Sequence, residues 1–322
     1  MTLVESSLRA RGRGRAGLLI VVALAAAVLA YVVAGSLGSS AVQRGGVPSA
    51  RAAATGIAAQ PATLVVRAPR RPRRAWQVIA TVGGTPAAWL SSEGGATMVR
   101  FDQKLVRLDL HAGKHDGGTK GWRYGDKIAP SESARLIAAF NGGFKLTYKD
   151  TGFMANGHVA VPLKPGLASL VTYSNGRSDI GAWQRGFPSG TSPVFSVLQN
   201  QYLLVDHGVP ATNLSSCVIE CWGGTVHLAT AVARSALGIT SDGQLVWAAG
   251  EQLSPAELAR ALIGAGAQRA IELDINPWWV AGYVYLHRTG RPKPVPLIPR
   301  QRGIEGALLE PYSRDFLAFV GV

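Results

Sequence analysis

The chain has 322 residues, of which 47% are hydrophobic and only 16% charged, and its 39 glycines point to strands and turns around a buried core. That composition excludes both a disordered chain and a polytopic membrane protein. The formal charge of +14 sits at one end: residues 1–74 hold eleven Arg against Glu5, the remainder is nearly balanced, and nucleic acid is set aside as a partner.

Residues 1–16 read as a basic cytoplasmic tail in which Arg9, Arg11, Arg13 and Arg15 precede an uncharged run. Residues 17–35 contain LLIVVALAAAVLAYVV, Leu18 to Val33, which with its small flanking residues is long enough to cross a bilayer. Basic residues in front of a span keep the N-terminus in the cytoplasm, so a single-pass cell-membrane protein with an extracytoplasmic C-terminal domain is expected. The apolar region exceeds a usual signal-peptide core, which favours an uncleaved anchor over a cleaved leader. Residues 36–75 are Ala, Gly, Ser, Pro and Arg without a sustained period, ending in RAPRRPRR, and read as a flexible linker.

From residue 76 to 322 short strand-like runs alternate with turn residues. Gln77–Val82, Thr97–Asp102 and Lys104–Leu110 come first. Ser131 is placed to cap a helix over ESARLIAAF, with Leu136 and Ile137 turned inward. Ala168–Tyr173 and Ser178–Trp183 meet across Asn175-Gly176, and Ser235–Thr240 and Gln244–Ala249 across Asp242-Gly243, two hairpin signatures. A second helix has Ser254 as N-cap, Pro255 at its first position and Glu257 completing a capping box. Strands at Ala270–Asp274, Gly282–His287 and Phe316–Val320 follow. The sum is an α+β domain of mixed β-sheets with a few helices.

Strand parity puts Ile271 and Leu273 on one face and Glu272 and Asp274 on the other, with Cα atoms of the two acids about 6.5–7 Å apart. Two such carboxylates can straddle a substrate, and their proximity raises one pKa. Beyond them lies INPWW, Ile275 to Trp279, where Pro277 ends the strand; an aromatic face there suits the C–H face of a sugar or anchors in the core, and because adjacent residues point opposite ways the two tryptophans are not expected to line one pocket. Asn141, Gly142 and Gly143 offer an amide beside backbone that approaches closely, and Arg234 in an apolar neighbourhood binds an anion or neutralises a buried acid. Cys217 and Cys221 allow a tight local disulfide, free buried thiols, or a metal site with His207 or His227 that lacks a second ligand pair.

Three blocks, AAFNGGF (Ala138–Phe144), ARSALGITSDGQLVWAAG (Ala233–Gly250) and LSPAELARALIGAGAQRAIELD (Leu253–Asp274), together resemble the phosphodiester glycosidase family across residues 76–322. The family usually follows Leu-Asp with a glycine run, where this chain has Ile275-Asn276-Pro277-Trp278-Trp279. The resemblance implies a hydrolase of glycosyl-1-phosphodiester bonds acting on a carbohydrate or sugar-phosphate substrate such as an envelope glycopolymer; no cofactor is expected and no residues are singled out as metal ligands. A non-catalytic glycan-binding protein on the same scaffold is the alternative. It implies that Asp274 and Glu272 act as carboxylates on the sugar and that Arg234 neutralises the departing phosphate. Asn141, Gly142, Gly143, Asn276 and Trp278 would bind substrate. Because a phosphate monoester leaves as a stable anion, strong acid assistance is dispensable.

Overall fold

The computed structural model describes residues 62–70, 74–116 and 121–322. The expected tail (1–16), membrane span (17–35) and most of the linker lie outside the described residues, and no described helix is long and apolar enough to cross a membrane.

The described chain is mostly strand. A nine-stranded sheet has Leu64–Val66 at one edge and Val209–Pro210 at the other, and its centre is the ladder of Leu245–Leu253, Val232–Thr240 and Ala267–Glu272. One five-stranded sheet is built around Ala168–Tyr173 and Val194–Asn200. The other places Leu136–Asn141 between Gly282–Leu286 and Phe316–Gly321. Every pairing among the described residues is antiparallel, whereas mixed sheets were expected. Hairpins account for neighbours such as Val232–Thr240 with Leu245–Leu253, while other antiparallel neighbours, such as Ala96–Phe101 with Leu245–Leu253 and Leu136–Asn141 with Phe316–Gly321, come from far apart in the sequence.

Both hairpin signatures form. Gly176 and Gly243 take φ of 83° and 80°, a left-handed backbone that costs glycine nothing, and Ser178–Ala182 and Leu245–Leu253 return along their partners. The helix Pro255–Gly264 starts as its capping residues dictate: the Ser254 hydroxyl accepts from the Glu257 N–H, and the Glu257 carboxylate accepts from the Ser254 N–H at 2.8 Å. Its Leu258, Ala261 and Leu262 pack on one face of the large sheet. The opposite face of that sheet carries the main core, where Trp247 stacks on Phe140 with centroids 4.2 Å apart and Phe101 on Phe319 at 4.0 Å.

Two expectations are corrected. The helix over ESARLIAAF is only the four-residue turn Pro130–Ser133, and Leu136–Asn141 is a strand. All six of its residues are buried, because sheet partners flank it and protein covers both faces, so no two-residue alternation marks it as a strand. The linker of residues 36–75 also gives up Leu64–Val66, which pairs antiparallel with Ala80–Val82.

Candidate functional site

The three blocks that carry the family resemblance meet beneath one cavity. Ser235, next to Arg234 in its strand, receives the Asn141 side-chain N–H on its hydroxyl at 2.8 Å, and its own backbone N–H donates to the Asp274 carbonyl at 2.9 Å. The Asn141 side-chain Oδ1 accepts from the Ala281 N–H at 3.2 Å, which fastens the far end of the segment that follows Asp274. Asn200 completes the frame by donating to the carbonyls of Glu272 and Leu273, both at 2.8 Å, while its oxygen accepts from the Phe144 N–H. Asn141 is thus buried in the frame and does not line the cavity above it.

Above the frame lies a cavity of about 410 Å³. Its floor is Asp274. One oxygen of that carboxylate accepts from the Asn276 N–H at 2.8 Å and the other pairs with Arg314 Nη1 at 2.8 Å. Phe144, Tyr148 and Trp279 give it aromatic walls, and Lys145, Lys149, Asp150 and Glu220 also line it. Burial pushes the Asp274 carboxyl above its ordinary value, and the Arg314 charge pulls part of that back. Arg314 reaches further, donating from Nη2 to the Gly143 carbonyl at 2.6 Å and from Nε to Asp116 at 3.2 Å. Although its burial disfavours charge, Asp274, Asp315 and Asp116 more than compensate and hold it cationic.

Gly142 and Gly143 are spacers against the next residue. The Gly142 N–H donates to the Asp315 carbonyl and the Gly143 N–H to its carboxylate at 2.8 Å. A Cβ on Gly142 would run into that carboxylate and lie 2.6 Å from the Asp315 carbonyl oxygen, so only glycine fits. Asp315 is buried and its carboxyl is pushed up to about 7 by desolvation, with Arg314 opposing.

Of the two readings of Arg234, the structure shows the one in which it neutralises a buried acid, Glu272. The two form a completely buried ion pair at 2.7 Å, and neither lines the cavity. Arg234 also donates to the Trp222 carbonyl at 2.8 Å and the Leu253 carbonyl at 3.0 Å. Glu272 is raised to about 7 by desolvation, against the pull of Arg234, and the nearby Asp274 charge adds only a minor push. The two acids therefore do not straddle the cavity: one is sequestered with its guanidinium and the other is presented.

Of the tryptophan pair, Trp279 lines the cavity, and the Arg314 guanidinium carbon lies 5.4 Å from its ring centroid. Trp278, the expected binder, points the other way and is 58% exposed. The two tryptophans thus point in opposite directions, and it is Trp279 that lines this cavity. Asn276 lines the cavity, and its side-chain oxygen accepts from the Trp278 N–H, closing the turn. Cys217 and Cys221 are joined in a disulfide spanning the short helix Val218–Cys221, so these thiols ligate no metal. Ile219, Glu220, Gly223 and Gly224 of that segment form one cavity wall. Among the described residues no group of three or more His, Cys, Asp or Glu is gathered as a metal site would need. Arg314, Asp315 and Asn200 carry no local motif; their bonds to Gly143, Phe144, Leu273 and Asp274 join residues far apart in sequence.

No protein-family model matches the chain, and no curated protein matches it. Among solved structures it is similar to the catalytic domain of zebrafish N-acetylglucosamine-1-phosphodiester alpha-N-acetylglucosaminidase auto-inhibited by its pro-peptide, at 14% identity and a TM-score of 0.43 over 81% of this chain and 88% of that one. It is also similar to a hypothetical protein from Synechocystis, at 13% identity and a TM-score of 0.37 over 74% of this chain and 63% of the other.

Proposed function

We propose that the chain is a hydrolase of glycosyl-1-phosphodiester bonds, held at the cell membrane by its N-terminal span with the catalytic domain outside. The observation that carries this reading is the Asp274–Arg314 pair at the floor of a cavity with aromatic walls and a lysine-bearing rim. A carboxylate there stabilises positive charge building on the sugar ring as the C–O bond breaks, or adds to the anomeric carbon. Arg314 and Lys145 supply the cations for the departing phosphate monoester, the role first assigned to Arg234. Aromatic faces on Trp279 and Tyr148 suit the C–H faces of a pyranose. Arg234, Glu272 and Asn141 then act as positioning residues: Arg234 clamps the Trp222 carbonyl, one residue before the cavity wall, and Asn141 fixes the frame under Asp274. A disulfide so short-ranged fits an oxidising compartment and supports the extracytoplasmic part of the reading.

The second reading, a glycan-binding protein without turnover, is favoured by one feature: both Asp274 oxygens are already engaged, by Arg314 and by the Asn276 N–H. Sugar release from a methyl phosphodiester of N-acetylglucosamine separates the two. Turnover lost in Arg314→Ala supports the hydrolase; saturable binding with no release supports the binder.

A further inference from the structure

The turn that follows Asp274 is a ridge between two hollows. Asp274, Ile275, Asn276 and Trp279 line the cavity already described, whereas Pro277 and Val280 line a second hollow of about 300 Å³ together with Glu251, Arg300 and Arg302. The ridge is stiff. The Asn276 carbonyl accepts the N–H groups of Trp279 and Val280 at 2.8 and 2.9 Å, and the Asn276 side chain accepts that of Trp278 at 2.9 Å. Trp278 is thereby held out into solvent, with the Arg302 guanidinium carbon 3.6 Å from its ring centroid.

That stacked guanidinium is in a different state from its neighbour. Arg300 is tied to Glu251 by its backbone N–H and side chain, at 2.6 and 2.7 Å. Arg302 has no carboxylate partner among the described residues. Held over the indole ring, it also has no hydrogen-bond partner among the described residues and can pair with phosphate oxygens. Lys145 and Lys149 line the first cavity, so cations stand at both hollows. Trp278 is four residue steps along from Asp274, a span of at most about 14 Å even if fully extended. We infer that Trp278 and Arg302 form a second subsite, across the ridge from Asp274, for a further phosphate of a polymeric sugar- or polyol-phosphate chain. The inference rests on the proposed function only for which bond is cut; the subsite itself is a statement about binding. An anionic membrane would also attract Arg302, but the shared turn joins this subsite to the cavity floor and favours one continuous ligand over a surface.

Calorimetry on the full-length chain, with a synthetic glycerol phosphate oligomer and with glycerol 1-phosphate, tests it. The oligomer is expected to bind more tightly than the monomer. Arg302→Ala should weaken the oligomer by about ten-fold, as loss of a charge-assisted hydrogen bond implies, and reduce its salt dependence. Arg302→Lys should recover only part, and cleavage of the methyl phosphodiester should not change in either variant. Equal oligomer affinity in the wild type and Arg302→Ala overturns the subsite, as does Arg302-dependent binding of phosphatidylglycerol vesicles with no oligomer binding. Should the small diester resist cleavage while oligomer binding still depends on Arg302, the hydrolase reading fails and the subsite stands.

Discussion

Arg234→Ala distinguishes a guanidinium that touches substrate from one that holds the fold. In the structure Arg234 and Glu272 are fully buried partners at 2.7 Å, and Arg234 also supports the carbonyls of Trp222 and Leu253. Truncating one side of such a pair strands the other charge in the interior and costs about 3–5 kcal/mol. In a domain of this size each kcal/mol moves the melting temperature by about 2–4 °C. The variant should therefore melt roughly 6–20 °C below the wild type. Because Glu272 already sits near 7, its stranded carboxylate can take up a proton, so the deficit should be larger at pH 8 than at pH 5. Replacing both partners, Arg234→Met with Glu272→Leu, should recover most of the loss, since no unpaired charge remains. Thermal unfolding followed by circular dichroism measures the wild type and both variants. An Arg234→Ala protein with wild-type melting at both pH values but no turnover would refute the positioning role and restore this guanidinium to the substrate.

Asp315, raised from its ordinary 3.8 to about 7, binds its proton more tightly folded than unfolded, so its contribution is complete below about pH 4 and lost as pH rises through 7. Asp315→Asn should flatten the fall in melting temperature between pH 5 and pH 8; an unchanged profile would show that this carboxyl does not titrate there. Gly142→Ala, which drives a methyl group into the Asp315 carboxylate, should destabilise by about 1–3 kcal/mol or more in urea unfolding, whereas a neutral outcome would mean that the segment yields. Reducing the Cys217–Cys221 bond, or replacing both cysteines by serine, should cost about 2 kcal/mol for so short a loop. It should also raise KM more than it lowers kcat, because Ile219 and Glu220 form part of the cavity wall.

What was legible in the sequence was local. The Asn175-Gly176 and Asp242-Gly243 turns and the Ser254–Glu257 capping box each specify their geometry within a few residues, and each forms. Leu136–Asn141 was misread because a strand buried on both faces loses its alternation, and a serine before an apolar run then imitates a helix start. The site was half legible for the same reason. Parity around Ala270–Asp274 correctly separated the acids from Ile271 and Leu273, which lie in the main core, but it could not say which acid would be sealed in. That depends on Arg234 facing Glu272 from the neighbouring strand, in a ladder that pairs Ala236 with Glu272. Arg314 was out of reach altogether: its bond to Gly143 spans 171 residues, and nothing beside it in sequence marks an arginine aimed at Asp274.

The most direct test of the whole account is the rate of sugar release from the methyl phosphodiester of N-acetylglucosamine by the wild type and by Asp274→Asn, a change that preserves the acceptor for the Asn276 N–H. The account predicts turnover by the wild type and a loss of at least about 100-fold in the variant, assayed at a temperature where both remain folded, since the variant leaves Arg314 without its carboxylate partner and should melt lower. A wild type that binds this diester without releasing sugar, or an Asp274→Asn protein that releases it as fast as the parent, would contradict the claim that the carboxylate on the cavity floor performs the chemistry.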